Sequence, residues 1–165
     1  MTSKRLRHVG TAGAARMVDV SSKRATARSA RAEAVVLLGD AVARLLDRTG
    51  GVAKGNVLET ARIAAIQAAK RTSELIPLCH PLAIDRIDVG AERIGERVRI
   101  VVEVACHGRT GAEMEAMTAA AVGALTVYDM CKSAAKGIEI ESVRLLEKRG
   151  GKSGTWKRAK RRGGE

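Results

Sequence analysis

The 165-residue chain contains no phenylalanine, one tyrosine and one tryptophan. That absence constrains the fold more than any motif does. Aromatic side chains bury roughly 150–250 Å² each and normally dominate a core. Without them the interior must be Val, Ile, Leu, Met and Ala, with backbones close enough that small side chains leave no voids. The supply suffices, because 45% of the residues are apolar and the length suits one domain. No stretch approaches the roughly 18–20 apolar residues of a membrane span, and the opening "MTSKRLRHVG" lacks the apolar segment of a signal peptide. Three cysteines at irregular spacing do not make a disulfide framework. A reducing cytoplasm is therefore the expected compartment.

The net charge of +12 suggests nucleic acid until it is located. Residues 1–16 carry four cations and no acid, and residues 155–165 carry five cations against Glu165, so eight of the twelve charges sit at the ends. Both ends read as basic tails, predicted to be disordered and better suited to solubility than to a specific partner. A binding module for nucleic acid would also need a basic face or stacking aromatics, and residues 17–154 offer only Tyr128. No specific nucleic acid is expected. A mildly basic core instead suits a small anionic ligand.

Periodicity gives the elements. Residues 25–38 combine helix-favouring alanines with a β-branched run, and the alternation in "VSSKRATARSAR" tips the reading to a strand. A short helix over roughly 40–48 is expected to stop at Gly50–Gly51. From Asn56, a good N-cap, to about Glu74 the apolar steps of three and four predict a helix whose alanines permit close approach of another element. Pro77 and Pro81 end it. "AIDRIDVGAER" and "RVRIVVEVACH" predict a hairpin, a long helix follows over about 111–135, and "IEIESVRLLEK" (138–148) predicts a last strand. The order implies an α+β sandwich with helices on one face of a mostly antiparallel sheet.

"IPLCHPL" (76–82) sets Cys79 beside His80. A zinc site needs partners at short spacing, and Cys106, His107 and Cys131 provide none. A thiol–imidazole dyad needs its members to face each other, whereas neighbours in extended chain point apart. Cys79 is expected to pack inward, leaving His80 braced by its prolines to contact a ligand. "GGKSG" (150–154) lacks the first glycine and the strand–loop–helix setting of a phosphate loop. Flanked by Lys148 and Lys152, it could still fold over an anion. Glu113 and Glu115 open the long helix, where its dipole favours acids. Asp129 and Lys132 lie one turn apart in the apolar run "ALTVYDMCK" and read as a half-buried acid–lysine pair with shifted pKa values. Lys54 precedes a helix start, a natural place for phosphate, though taken alone it reads rather as a solvent-exposed loop lysine. Glu115 and Asp129 are fourteen residues apart, roughly 21 Å along one helix. If both serve one site, it spans a subunit interface.

Four segments together resemble the cyclic pyranopterin monophosphate synthase family (molybdenum cofactor biosynthesis protein C): "MVDVSSK" (17–23), "KGNVLETARIAAIQAAKRTSELIPLCHPL" (54–82), "GRTGAEMEAMTAAAVGALTVYDMCK" (108–132) and "RLLEKRGGKSG" (144–154). The resemblance covers about 17–154 and departs only at small positions: Asn56 for Asp, Ala65 for Gly and Ala112 for Val. It implies a ferredoxin-like fold assembled as a homohexamer, a trimer of dimers, with active sites shared between subunits. It implies conversion of 3′,8-cyclo-7,8-dihydro-GTP to cyclic pyranopterin monophosphate and diphosphate, with no metal or redox cofactor. Carried over by position, Asp129 is the active-site acid, and Lys54 and Lys132 are the essential lysines. Leu78, Cys79, His80, Met114 and Glu115 bind substrate, with Lys23, Arg28, Arg109, Glu113 and Lys148 lining the pocket.

Overall fold

Alternation in the first apolar segment resolves as a strand at the centre of the molecule. In the computed structural model, which describes residues 14–49 and 52–159, β1 (Thr26–Leu37) has antiparallel partners on both sides. Helices α1 (Asp40–Thr49), α2 (Val57–Lys70) and α3 (Thr72–Leu75) follow, then the hairpin β2 (Arg86–Ile94) and β3 (Arg97–Gly108). The chain continues through α4 (Glu113–Cys131), β4 (Glu139–Arg149) and the two-residue β5 (Trp156–Lys157). Sheet order is β2-β3-β1-β4-β5, antiparallel throughout. With α2 and α4 on one face, this is the ferredoxin-like α+β sandwich expected from the sequence.

Local chemistry explains most boundaries. Asn56 caps α2 by accepting from the Glu59 backbone N–H at 3.1 Å. Gly95 (φ 59) opens the two-residue turn between β2 and β3, where a primed turn needs a positive φ at its first central position. Three expectations shift. The helix over 56–74 is broken at Arg71 (φ −110, ψ 12), which separates α2 from α3. The long helix is shorter at both ends, and the segment read as a C-terminal tail supplies β5, paired to Glu147 and Lys148. The expected stop at Gly50–Gly51 lies outside the described residues, as do residues 1–13.

The core is built as the composition requires. Ala30, Ala32, Ala34 and Val36 of β1 are buried on the face that α4 covers, together with Ala116, Ala120 and Ala124 of α4, while α2, with Ala61 and Ala65 buried, packs against α4 and β2. At Gly123 of α4 an added Cβ would lie 3.1 Å from Ile100 of β3 and 3.4 Å from the Ala65 Cβ, so helix, helix and sheet converge there. The opposite sheet face is held by charge. Glu33 is only 3% exposed and accepts from Arg99 Nε at 2.9 Å and Arg144 Nε at 2.6 Å, tying β1 to both neighbours. Burial works to raise the pKa of Glu33, but the two guanidinium hydrogen bonds outweigh it and hold the carboxyl below the ordinary glutamate range.

Such tight packing predicts intolerance to added volume. Ala65→Leu should lower the unfolding free energy by roughly 1–3 kcal/mol, the usual cost of overpacking. Urea denaturation of the variant checks this, and an unchanged midpoint would show that the α2–α4 contact has slack.

Candidate active site

Two groups of polar side chains stand at opposite ends of α4. At its start, the first turn of the helix meets the chain leading into β1, the loop after α3 and the loop after β3. Together they enclose a cavity of about 380 Å³ lined by Lys23, Arg28, Leu78, Cys79, His80, Arg109, Glu113, Met114 and Glu115. Every substrate-contacting residue expected from the sequence except Lys148 therefore lies around one space. Cys79 and His80 both line it, on a segment that is irregular rather than extended, and Cys79 is part-buried there. Burial, with the charge of Glu115 added, pushes the Cys79 thiol up, which leaves it protonated and unprimed as a nucleophile.

Glu115 is the most unusual group in this cavity. It is 4% exposed, and its Oε2 has no hydrogen-bond partner among the described residues. Burial pushes its pKa up, and the neighbouring Glu113 adds to the effect despite an opposing backbone hydrogen bond. Gly111 makes room for Glu113, since a Cβ there would collide with the Glu113 carboxylate. Arg28 is fixed by its Nε donating to the Gly108 carbonyl at 2.8 Å. The chamber thus offers a dehydrated acceptor on one wall and oriented cations on another, a pattern suited to a ligand with both donor edges and negative charge.

At the far end of α4, Asp129 is gripped by two lysines. Lys132 Nζ lies 2.7 Å from Oδ1, while Lys54 Nζ donates to Oδ2 at 3.1 Å and to the Asp129 carbonyl at 3.0 Å. An acid in a last helical turn faces the negative end of the dipole, and the two ammonium groups offset that. Two expectations are corrected here. Lys54 reaches across to the C-terminus of α4 instead of serving the N-terminus of α2. Nor is the pair half-buried and desolvated, for the side chains of Lys54, Asp129 and Lys132 are 49%, 56% and 52% exposed. The apolar neighbours Val127, Met130 and Cys131 occupy the other face of the helix. Hydrogen bonds from Lys132 and then Lys54 hold Asp129 below the carboxylate range, and Asp129 in turn holds Lys132 above the lysine range. As placed, Asp129 and Lys132 hold each other in their charged forms at neutral pH.

Lys148 points elsewhere, donating to Ser153 Oγ across the glycine segment. Among the described residues no group of three His, Cys, Asp or Glu side chains converges as around a metal ion. The model for the MoaC family matches residues 17–151. The chain belongs to the MoaC family. It is also 53% identical, over 92% of its length and 95% of the relative's, to a protein of Methylobacterium sp. (strain 4-46) named cyclic pyranopterin monophosphate synthase. Seen as a MoaC-family chain, the sequence reading missed Val18, Val20, Thr110 and Gly111 as cavity wall. Small apolar and backbone surfaces leave no signature of their own in a sequence.

The raised pKa of Glu115 makes stability pH-dependent. The unfolded chain releases this proton near 4.5, whereas the folded chain holds it to higher pH, so the native state loses stability as pH rises through that window. Glu115→Gln should therefore stabilise the protein at pH 7 by roughly 1–2 kcal/mol, the scale of an uncompensated buried group. Below the ordinary glutamate range the two proteins should converge. Denaturation at pH 4 and pH 7 tests this, and an equal difference at both would refute it.

Proposed function

We infer that this chain is a cyclic pyranopterin monophosphate synthase, a lyase of molybdenum cofactor biosynthesis that converts 3′,8-cyclo-7,8-dihydro-GTP to cyclic pyranopterin monophosphate and diphosphate. The observation that carries the reading is likeness over nearly the whole chain to a protein of that name, within the MoaC family. The geometry supports it in kind. A 380 Å³ chamber with a buried carboxylate and fixed cations suits a purine-derived nucleotide. We assign no metal or redox cofactor and take the enzyme to be cytoplasmic, the compartment of reduced thiols such as its three cysteines.

The roles follow from charge. Rebuilding a cyclised purine as a pterin moves protons on and off nitrogen and carbon, and closing the cyclic phosphate breaks the bond to the departing diphosphate. Lys132, paired to Asp129, does the acid–base work, with Lys54 assisting. For a lysine to serve as a base near neutral pH its pKa must fall, which requires desolvation that the exposed single chain does not provide. A second subunit covering this end of α4 would supply it. Because the chamber residues and the Asp129 trio are separated by roughly 21 Å of rigid helix, each complete site takes one group from each of two subunits. The assembly is read as a homohexamer, a trimer of dimers.

Incubation with the cyclised dihydro-GTP should release diphosphate and a pterin, and absence of both would sink the reading. Lys132→Ala should lower kcat by at least about 100-fold, the lower range for a lost acid–base group. Mixed and reassembled Lys132→Ala and His80→Ala proteins should recover part of the lost turnover, because some sites then receive two intact halves. No recovery after subunit exchange would mean that each site is built within one chain.

A further inference from the structure

Of the two aromatic rings in the chain, Trp156 stands exposed on β5 while Tyr128 packs against the core. A tyrosine that is part-buried in this way normally finds a partner for its O–H. The Tyr128 hydroxyl has none among the described residues. The ring is anchored and its polar end is not.

The geometry of α4 shows where a partner would come from. Lys132 continues the last turn, its backbone N–H bonded to the Tyr128 carbonyl at 2.8 Å. Long side chains on a helix lean back toward its N-terminus, so Lys132 lies over the residues three and four positions before it. Those are Asp129 and Tyr128. Asp129 already holds Lys132 at 2.7 Å through Oδ1, and its Oδ2 is occupied by Lys54 from the loop before α2. Tyr128 lies within reach of the Lys132 charge, since an ionised phenol there would push the lysine pKa further up.

The two neighbours differ in what they can offer. A carboxylate only accepts hydrogen bonds, whereas a phenol both accepts and donates. Charged Lys132 is therefore well served by Asp129. Once its proton has passed to a substrate atom, the amine keeps two N–H donors and gains a lone pair, which Asp129 cannot satisfy. In a site dried by a covering subunit, a lone pair without a donor is unfavourable. Lys54 is engaged by the Asp129 carboxylate and carbonyl at 3.1 and 3.0 Å, so among the described residues the Tyr128 O–H is the donor left beside the amine.

We propose that Tyr128 is a positioning residue for the inferred reaction: its hydroxyl donates to Lys132 while that lysine is neutral, and holds the amine in place between giving up one proton and taking the next. The proton itself moves between Lys132 Nζ and the substrate, and Tyr128 keeps its own. The work assigned to Lys132 rests on the function inferred above; the juxtaposition of phenol and amine rests on the helix alone.

Tyr128→Phe removes the hydroxyl and keeps the ring, so the urea midpoint should hold. In turnover of the cyclised dihydro-GTP it should lower kcat about tenfold, the scale of one hydrogen bond, with KM within about twofold. The limb of the pH–rate profile that reports neutral Lys132 should move to higher pH, because the variant has lost the donor that favours the neutral form. Added to Lys132→Ala, Tyr128→Phe should cause no further loss, as expected of a group acting through the lysine. Multiplied losses, a limb that stays or moves to lower pH, or a lowered urea midpoint with kcat unchanged would each overturn the proposal. A readout independent of turnover uses the single tyrosine, which gives one residue's NMR signals when the full chain carries isotope-labelled tyrosine. Lys132→Met should shift those signals and Lys70→Met, at the end of α2, should not; an equal response to both, or none to Lys132→Met, would overturn the juxtaposition. No turnover by the unaltered protein with that shift intact would remove the functional reading, whereas full turnover by Tyr128→Phe would overturn the role of Tyr128 and leave that reading standing.

Discussion

Close contact between alanine-faced elements is the constraint on which everything else rests. α4 packs against both β1 and α2, with Ala32, Ala34, Ala61, Ala65, Ala120 and Ala124 all buried, and Gly123 marks a point where even a methyl group is tightly met. Small side chains gain little hydrophobic energy individually, so the fold compensates by bringing whole backbones together and burying them without voids. The consequence is a stiff α4 whose axis is fixed against the sheet along its length. A helix held that firmly can carry functional groups at both ends and keep their separation constant.

The two ends are chemically unlike. At the N-terminal end Glu115 is dehydrated and lacks a partner for one oxygen, while at the C-terminal end Asp129 is exposed and doubly paired. Their pKa shifts run in opposite directions for that reason. In the function inferred above, the first end is assigned to recognition and the second to proton exchange.

Much of this was legible in the residues. The strand and helix periods, the Asn56 cap and the antiparallel order could be read directly, and the family resemblance picked out the residues that the fold gathers around the first chamber. What could not be read were relations between distant segments. "ALTVYDMCK" looks like a buried setting for Asp129 and Lys132, yet sequence neighbours on a helix point in different directions, and it is Val127, Met130 and Cys131 that take the core side. Arg24 and Lys152 line one cavity only because the register of β1 against β4 sets Ser29 opposite Arg149 and returns the next loop over the start of β1. The break at Arg71 depends on a single backbone conformation, and β5 is too short to carry a period.

Glu33 gives the open sheet face a property that an apolar face would lack. The carboxylate has already shed its water and is satisfied by arginines from both neighbouring strands. Its depressed pKa means that this tie holds above the ordinary glutamate range and yields only as pH falls through a lower value. In mild acid, where ordinary surface carboxylates begin to neutralise and their pairings lapse, three central strands remain laced together by one anion. The sheet is in this sense acid-hardened from its uncovered side.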